Sequence, residues 1–148
     1  MPVSRPLRRL LRVLHAQEEQ SRATLEAALA ELQRLERAQI AAQERERGGR
    51  QLVAASALSA ERLEQMIGRL AGIEESLTAA RMAAVLTTRA AAARDNVTEC
   101  REDFLARRID RRQAESLVHK AEATDAAEAT RRGQQSLDDW YLNRQHQQ

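Results

Sequence analysis

From residue 7 to residue 148 the chain contains no proline. Proline is the one residue that a helix interior cannot absorb, because it lacks an N–H and clashes with the preceding turn. Pro6 itself suits the first turn of a helix, where the missing N–H costs little, and Ser4 or Arg5 can cap it. Very little here forbids long helices. Composition points the same way: 31% of residues are charged and only 2% are aromatic, so the apolar content is mostly leucine and alanine. That is the make-up of long helices and coiled coils rather than of a compact core built on large side chains.

The opening stretch "RPLRRLLRVLHA" sets Leu7, Leu10, Leu11 and Leu14 on one helical face and arginines on the others. The 3-4 spacing continues through Leu25, Ala28, Leu32, Leu35 and Ala42, with polar Glu18, Ser21 and Gln39 at seam positions. It stops at Gly48-Gly49, where each glycine costs a helix roughly 1 kcal/mol. Ser59 followed by Ala60-Glu61 reads as an N-cap with an acidic first turn. A second seam follows in Leu63, Met66, Leu70, Ile73, Leu77 and Ala80, then a shifted register in Leu86, Ala90, Ala93, Val97, Cys100 and Phe104. Leu105, Ile109, Leu117 and Leu137 continue less regularly.

These patterns predict an all-α fold, a long antiparallel two-helix coiled-coil hairpin forming a single domain. The expected parts are a helix over 5–47, a connector over 48–59, a helix over 60–142 and a frayed tail over 143–148. At 1.5 Å per residue the helices would be about 65 Å and 120 Å long. Gly72 is the second candidate for the turn, and a bundle of three helices broken near 48 and 95 is the alternative architecture. A turn near 54 sets residue 4 opposite about residue 104 by antiparallel pairing. Leu7, Leu11 and Leu14 would then pack near Phe104 and Leu105, with Arg8, Arg9 and Arg12 close to Arg107, Arg108, Arg111 and Arg112.

Several functions are disfavoured. Net charge is only +2, and in "RRIDRR" Asp110 interrupts the arginines, with no aromatics spaced for base stacking. Nucleic acid is therefore not the expected partner. Apolar runs such as "AAVL" at 83–86 are far too short to span a bilayer, and arginines interrupt any signal-peptide core. Cys100 stands alone, which excludes an internal disulfide and a cysteine-based zinc site. His15 with Glu18 or Glu19, and Glu115 with His119, have helical spacing but not the Glu-x-x-His pattern of a di-metal bundle. Phosphate loop, nucleophile elbow and triad are missing, so neither a catalytic site nor a cofactor is expected.

Three short stretches resemble one family. "RRLLRVLHAQEEQ" is similar to the opening of YscO proteins, "LSAERLEQMIGRL" at 58–70 to the start of their second helix, and "QQSLDDWYLNR" at 134–144 to the acidic-aromatic ending. Together with length and helical composition, they make the chain resemble the FliJ/YscO (SctO) family, the central stalk of the type III secretion and flagellar export ATPase. The resemblance implies a non-enzymatic coupling subunit in the bacterial cytoplasm, peripheral to the inner membrane at the secretion apparatus. Its terminal segments would enter the hexameric ATPase and its reversal would face the export-gate membrane protein; some relatives also bind export chaperones. The tip of the flagellar members is rich in aromatics, whereas residues 50–80 here have none.

Two sets of residues are candidates for contact with the ATPase. One is a basic collar of Arg8, Arg9, Arg12, Arg107, Arg108, Arg111 and Arg112, whose planar forks suit carboxylates; the bland alternative is a solvated face. The other is Trp140-Tyr141, two of the three aromatics, at an otherwise polar terminus.

Overall fold

The computed structural model describes residues 2–147. It is all-helical: α1 spans Ser4–Ser56 and α2 spans Arg62–His146, packed antiparallel, with no strand among the described residues. The predicted hairpin is therefore present, but its turn lies elsewhere. Gly48 and Gly49 sit inside α1, and the reversal is confined to residues 57–61. Gly72, Asp95 and Gly133 are all interior to α2, which removes both the rival turn and the three-helix bundle.

The contacts group into two units: residues 23–102, which hold the turn, and residues 2–22 with 103–147, which hold both chain ends.

In the turn unit, a small core joins Leu35, Ala42, Leu86 and Ala90, with Ala38, Ala83 and Ala93 packed against it. Leu25 and Leu32 are half-buried on the same side of α1. The shifted register of Leu86, Ala90, Ala93 and Val97 is thus the true α2 seam here, and it runs back to Ala79 rather than to the large apolar residues before it. Cross-helix contacts fix the pairing: Arg94 to Glu36 at 3.3 Å, Gln39 to Thr87 at 3.0 Å and Arg45 to Glu75 at 2.7 Å.

Nearest the turn the seam is made of very small residues. A Cβ added to Gly49 would stand 2.7 Å from the carbonyl oxygen of Gly72, and one added to Gly72 would stand 2.6 Å from the oxygen of Gly49. Gly68 meets Ser56 in the same way, at 2.7 Å from its Cβ. The two backbones touch, and only glycine allows that approach. This contact explains why the double glycine does not break α1: close packing offsets the propensity cost that the sequence pattern emphasises.

The consequence is a correction to the second seam. Leu63, Met66, Leu70, Ile73 and Leu77 are not buried against α1; their exposures are 62, 58, 63, 43 and 54%.

The turn itself is stapled by hydrogen bonds. Leu58 N–H donates to the Ala55 carbonyl at 3.1 Å and Ser59 N–H to that of Ser56 at 3.3 Å. The Ser59 hydroxyl donates to Glu64 at 2.8 Å, and the Gln65 side chain reaches back to the Ser59 carbonyl. Ser59 thus serves the start of α2, two residues earlier in the turn than a simple cap would sit.

In the unit of the chain ends, the register places Ser4 against Asp125, Arg8 against Glu122, Glu18 against Arg111 and Ser21 against Asp103. Residue 4 therefore faces 125, not 104. The reversal is centred near residue 59, about five residues beyond the expected 54, and that offset doubles to about ten across an antiparallel pair; the rest of the shift accumulates along the helices, where the paired numbers sum to more away from the turn. Leu7, Leu11 and Leu14 are half-buried as expected, but beside the stretch holding Ala114 and Val118. Phe104, also half-buried, lies under the Arg22 guanidinium at 5.7 Å.

Candidate functional site

The end of α1 is held in an unusual way. A helix start leaves several backbone N–H groups without partners. Here Asp125 of α2 supplies them: its two carboxylate oxygens accept from Val3 N–H at 3.2 Å and Ser4 N–H at 3.0 Å. Hydrogen bonding from the Ser4 side chain, then from the Ser4 and Val3 backbone, holds the Asp125 carboxyl below its usual range. The positive end of the α1 dipole favours the same charge. Nothing in the periodicity marked Asp125, because its partner is a backbone terminus rather than a side chain.

Beyond this clamp α2 continues to His146, and every described residue from 126 onward is exposed. On the protruding segment Leu137, Trp140, Tyr141 and Arg144 fall at i, i+3, i+4 and i+7, one face of the helix. Trp140 and Tyr141 meet edge to face, centroids 5.2 Å apart, and the Arg144 guanidinium lies 5.1 Å from the Trp140 ring. Leu137, Trp140 and Tyr141 are 58, 52 and 60% exposed, so this aromatic face is open to a partner. Asp138 and Asp139 supply negative charge beside it.

The arginine collar is divided by the same register. Arg111 ion-pairs with Glu18, which is 3% exposed, and with Glu115 at 2.9 Å. Arg107 donates to Gln17 at 2.9 Å and lies 3.7 Å from Asp103, and Arg8 pairs with Glu122 at 2.6 Å. These three are engaged within the chain, so the positive charge that a turn near 54 would have crowded together is instead interleaved with carboxylates. Arg9, Arg12, Arg108 and Arg112 are exposed and have no ion pair among the described residues. Glu18 and Ser21, polar residues at seam positions, both have partners, and a buried ion pair at a seam position specifies register.

No group of three or more His, Cys, Asp or Glu among the described residues could hold a metal ion, and no helix is long and apolar enough to cross a membrane. Cys100 is half-buried on the seam, with its thiol 3.7 Å from the Asn96 side-chain oxygen. Comparison with known proteins finds no matching family model, no matching curated protein and no matching solved structure.

Proposed function

We propose that the chain is a non-enzymatic coupling subunit of a type III secretion or flagellar export ATPase, the role implied by its resemblance to the FliJ/YscO family. The observation that carries this reading is the protruding end of α2. There the acidic-aromatic ending stands clear of α1, with Leu137, Trp140 and Tyr141 on one exposed face. An amphipathic helix with aromatic anchors fits an apolar groove on a larger partner. Arg9, Arg12, Arg108 and Arg112 add free guanidinium groups in the same unit for acidic loops of the ring. In this reading the chain ends engage the hexameric ATPase, the turn faces the export-gate protein or an export chaperone, and the chain itself has no catalysis.

The test is stimulation of the cognate hexameric ATPase by purified protein. Wild-type protein is expected to raise its turnover. Trp140→Ala with Tyr141→Ala should reduce that stimulation with helicity kept, and Arg9, Arg12, Arg108 and Arg112 changed to Gln should weaken it and flatten its salt dependence. Unchanged stimulation by both variants at every salt concentration would reject these contacts. Failure of the wild type to stimulate would favour the second reading, a passive scaffold or chaperone-like coiled coil, to which the exposed apolar stripe near the turn lends support.

A further inference from the structure

The stripe Leu63, Met66, Leu70, Ile73 and Leu77 poses a question of its own. Its spacing alternates three and four, which is the a/d repeat of a coiled-coil seam. Yet α2 turns a different face to α1 here, the small-residue face of Gly68, Gly72, Ser76 and Ala79. The intrachain packing therefore leaves a second, larger seam facing outward. We infer that this seam pairs with the same seam of a second copy of the chain, as a parallel, in-register two-stranded contact over residues 63–77.

Three features favour that occupant. The first is charge. In the heptad set by Leu63, Leu70 and Leu77, Arg69 falls at a g position and Glu74 at an e position. They are five residues apart, outside the i,i+3 and i,i+4 reach of one helix, and neither has an ion pair among the described residues. Five residues is the g-to-e′ offset across a parallel two-stranded coil, so Arg69 of each copy meets Glu74 of the other, twice by symmetry.

The second is register. In-register parallel pairing keeps all five apolar layers. The antiparallel alternatives lose one of them, and the alternative that sets Leu63 against Ile73 also brings the two Arg69 guanidinium groups together. The third is extent. Five side chains at 43–63% exposure amount to roughly 500 Å² per copy, about 1,000 Å² for a pair, the threshold for a specific interface. Because α1 already supports α2, pairing orders no new helix. The stripe then ends in Ala80, Arg81 and Ala84, which confines the seam to residues 63–77. Around it Glu61, Glu64 and Glu74 alternate with Arg62 and Arg69, a mixed rim that does not suit an anionic membrane surface.

The test uses the full chain. Sedimentation equilibrium at concentrations up to on the order of 100 μM should give twice the 16.7 kDa chain mass. Leu70→Lys should give the monomer with unchanged far-UV circular dichroism, and Leu70→Ala should raise the dissociation constant of the pair by roughly tenfold or more. With Cys100→Ser as background, Leu63→Cys and Leu77→Cys should each form a disulfide between copies, since parallel pairing sets each opposite itself. A monomer throughout, or a dimer that persists with Leu70→Lys, overturns the proposal. So does crosslinking only between Leu63→Cys and Ile73→Cys chains, the antiparallel result. Three or more copies, which Leu at a with Ile at d favours in free strands, would overturn the two-copy arrangement.

Discussion

Gly48 and Gly49 are neighbours with opposite roles. A Cβ on Gly48 would meet nothing within 4 Å, whereas one on Gly49 would press on backbone atoms of Gly72 and Ser76 at 2.7 Å. Helix propensity alone favours alanine over glycine by roughly 1 kcal/mol at either site. Gly48→Ala should therefore raise stability by up to about 1 kcal/mol. Gly49→Ala and Gly72→Ala should instead lower it by roughly 1–3 kcal/mol, because the backbones must separate. Thermal or urea denaturation of the three variants checks this; equal gains at all three sites would mean that the helices do not touch there. The pair also shows what a linear reading misses. Two glycines in a row signal a break through local propensity, and only the partner helix reveals that one of them is a contact.

Each helix carries more than one stripe, and the balance between stripes decides where α1 packs. Leu35 and Leu86 could be found from spacing because large apolar side chains mark their seam. Near the turn the signal was inverted: the large residues from Leu63 to Leu77 point outward and glycine, serine and alanine point inward. The recurrence of small residues at 68, 72, 76 and 79 was the available clue. The outward stripe and the later turn together move the pairing of the chain ends away from the register that spacing predicts, and with it the place of Asp125. The helix-end clamp has a pH signature. The Asp125 carboxyl is held low by its hydrogen bonds from Ser4 and Val3, so its contribution is fully present above the ordinary aspartate pKa, about 4. It is lost as pH falls through the lowered folded-state value. Asp125→Asn should thus be less stable than wild type at neutral pH, with the difference shrinking in acid, below the ordinary aspartate range, in titrations followed by circular dichroism. A difference that stays constant with pH would show that the carboxylate charge is not what holds the start of α1.

For the whole molecule, an all-helical hairpin was legible because absence of proline, charge density and 3-4 spacing all agree. The surfaces that would meet partners were only partly legible. Trp140 and Tyr141 stand out by rarity, whereas the exposed leucines beyond the turn carry the same 3-4 spacing as a core seam, and a sequence does not say which of two apolar stripes is inward. Neither surface is used in pairing α1 with α2, so each can be altered without touching the hairpin's own packing.

The part of α2 that outruns α1 also has an energetic side. Past Asp125 it is a single helix of about 30 Å at 1.5 Å per residue, with exposed side chains throughout. The clamped portion nucleates it, so it avoids the initiation penalty of a free peptide, but its persistence rests on propensity and local side-chain pairs. A partner that grips Trp140 and Tyr141 must hold this segment helical, and whatever helicity is lacking beforehand is subtracted from the affinity. Gly133 lies in the middle of it, with open space around its Cα. Gly133→Ala should therefore tighten binding by up to about fivefold, the equivalent of the roughly 1 kcal/mol that glycine costs a helix, without touching the partner at all. Titration of the variant against the ATPase proposed as its partner, alongside the helicity of each free protein, measures both halves of that exchange. The protruding helix would then act as an affinity dial, set by how firmly it is wound before anything takes hold of it.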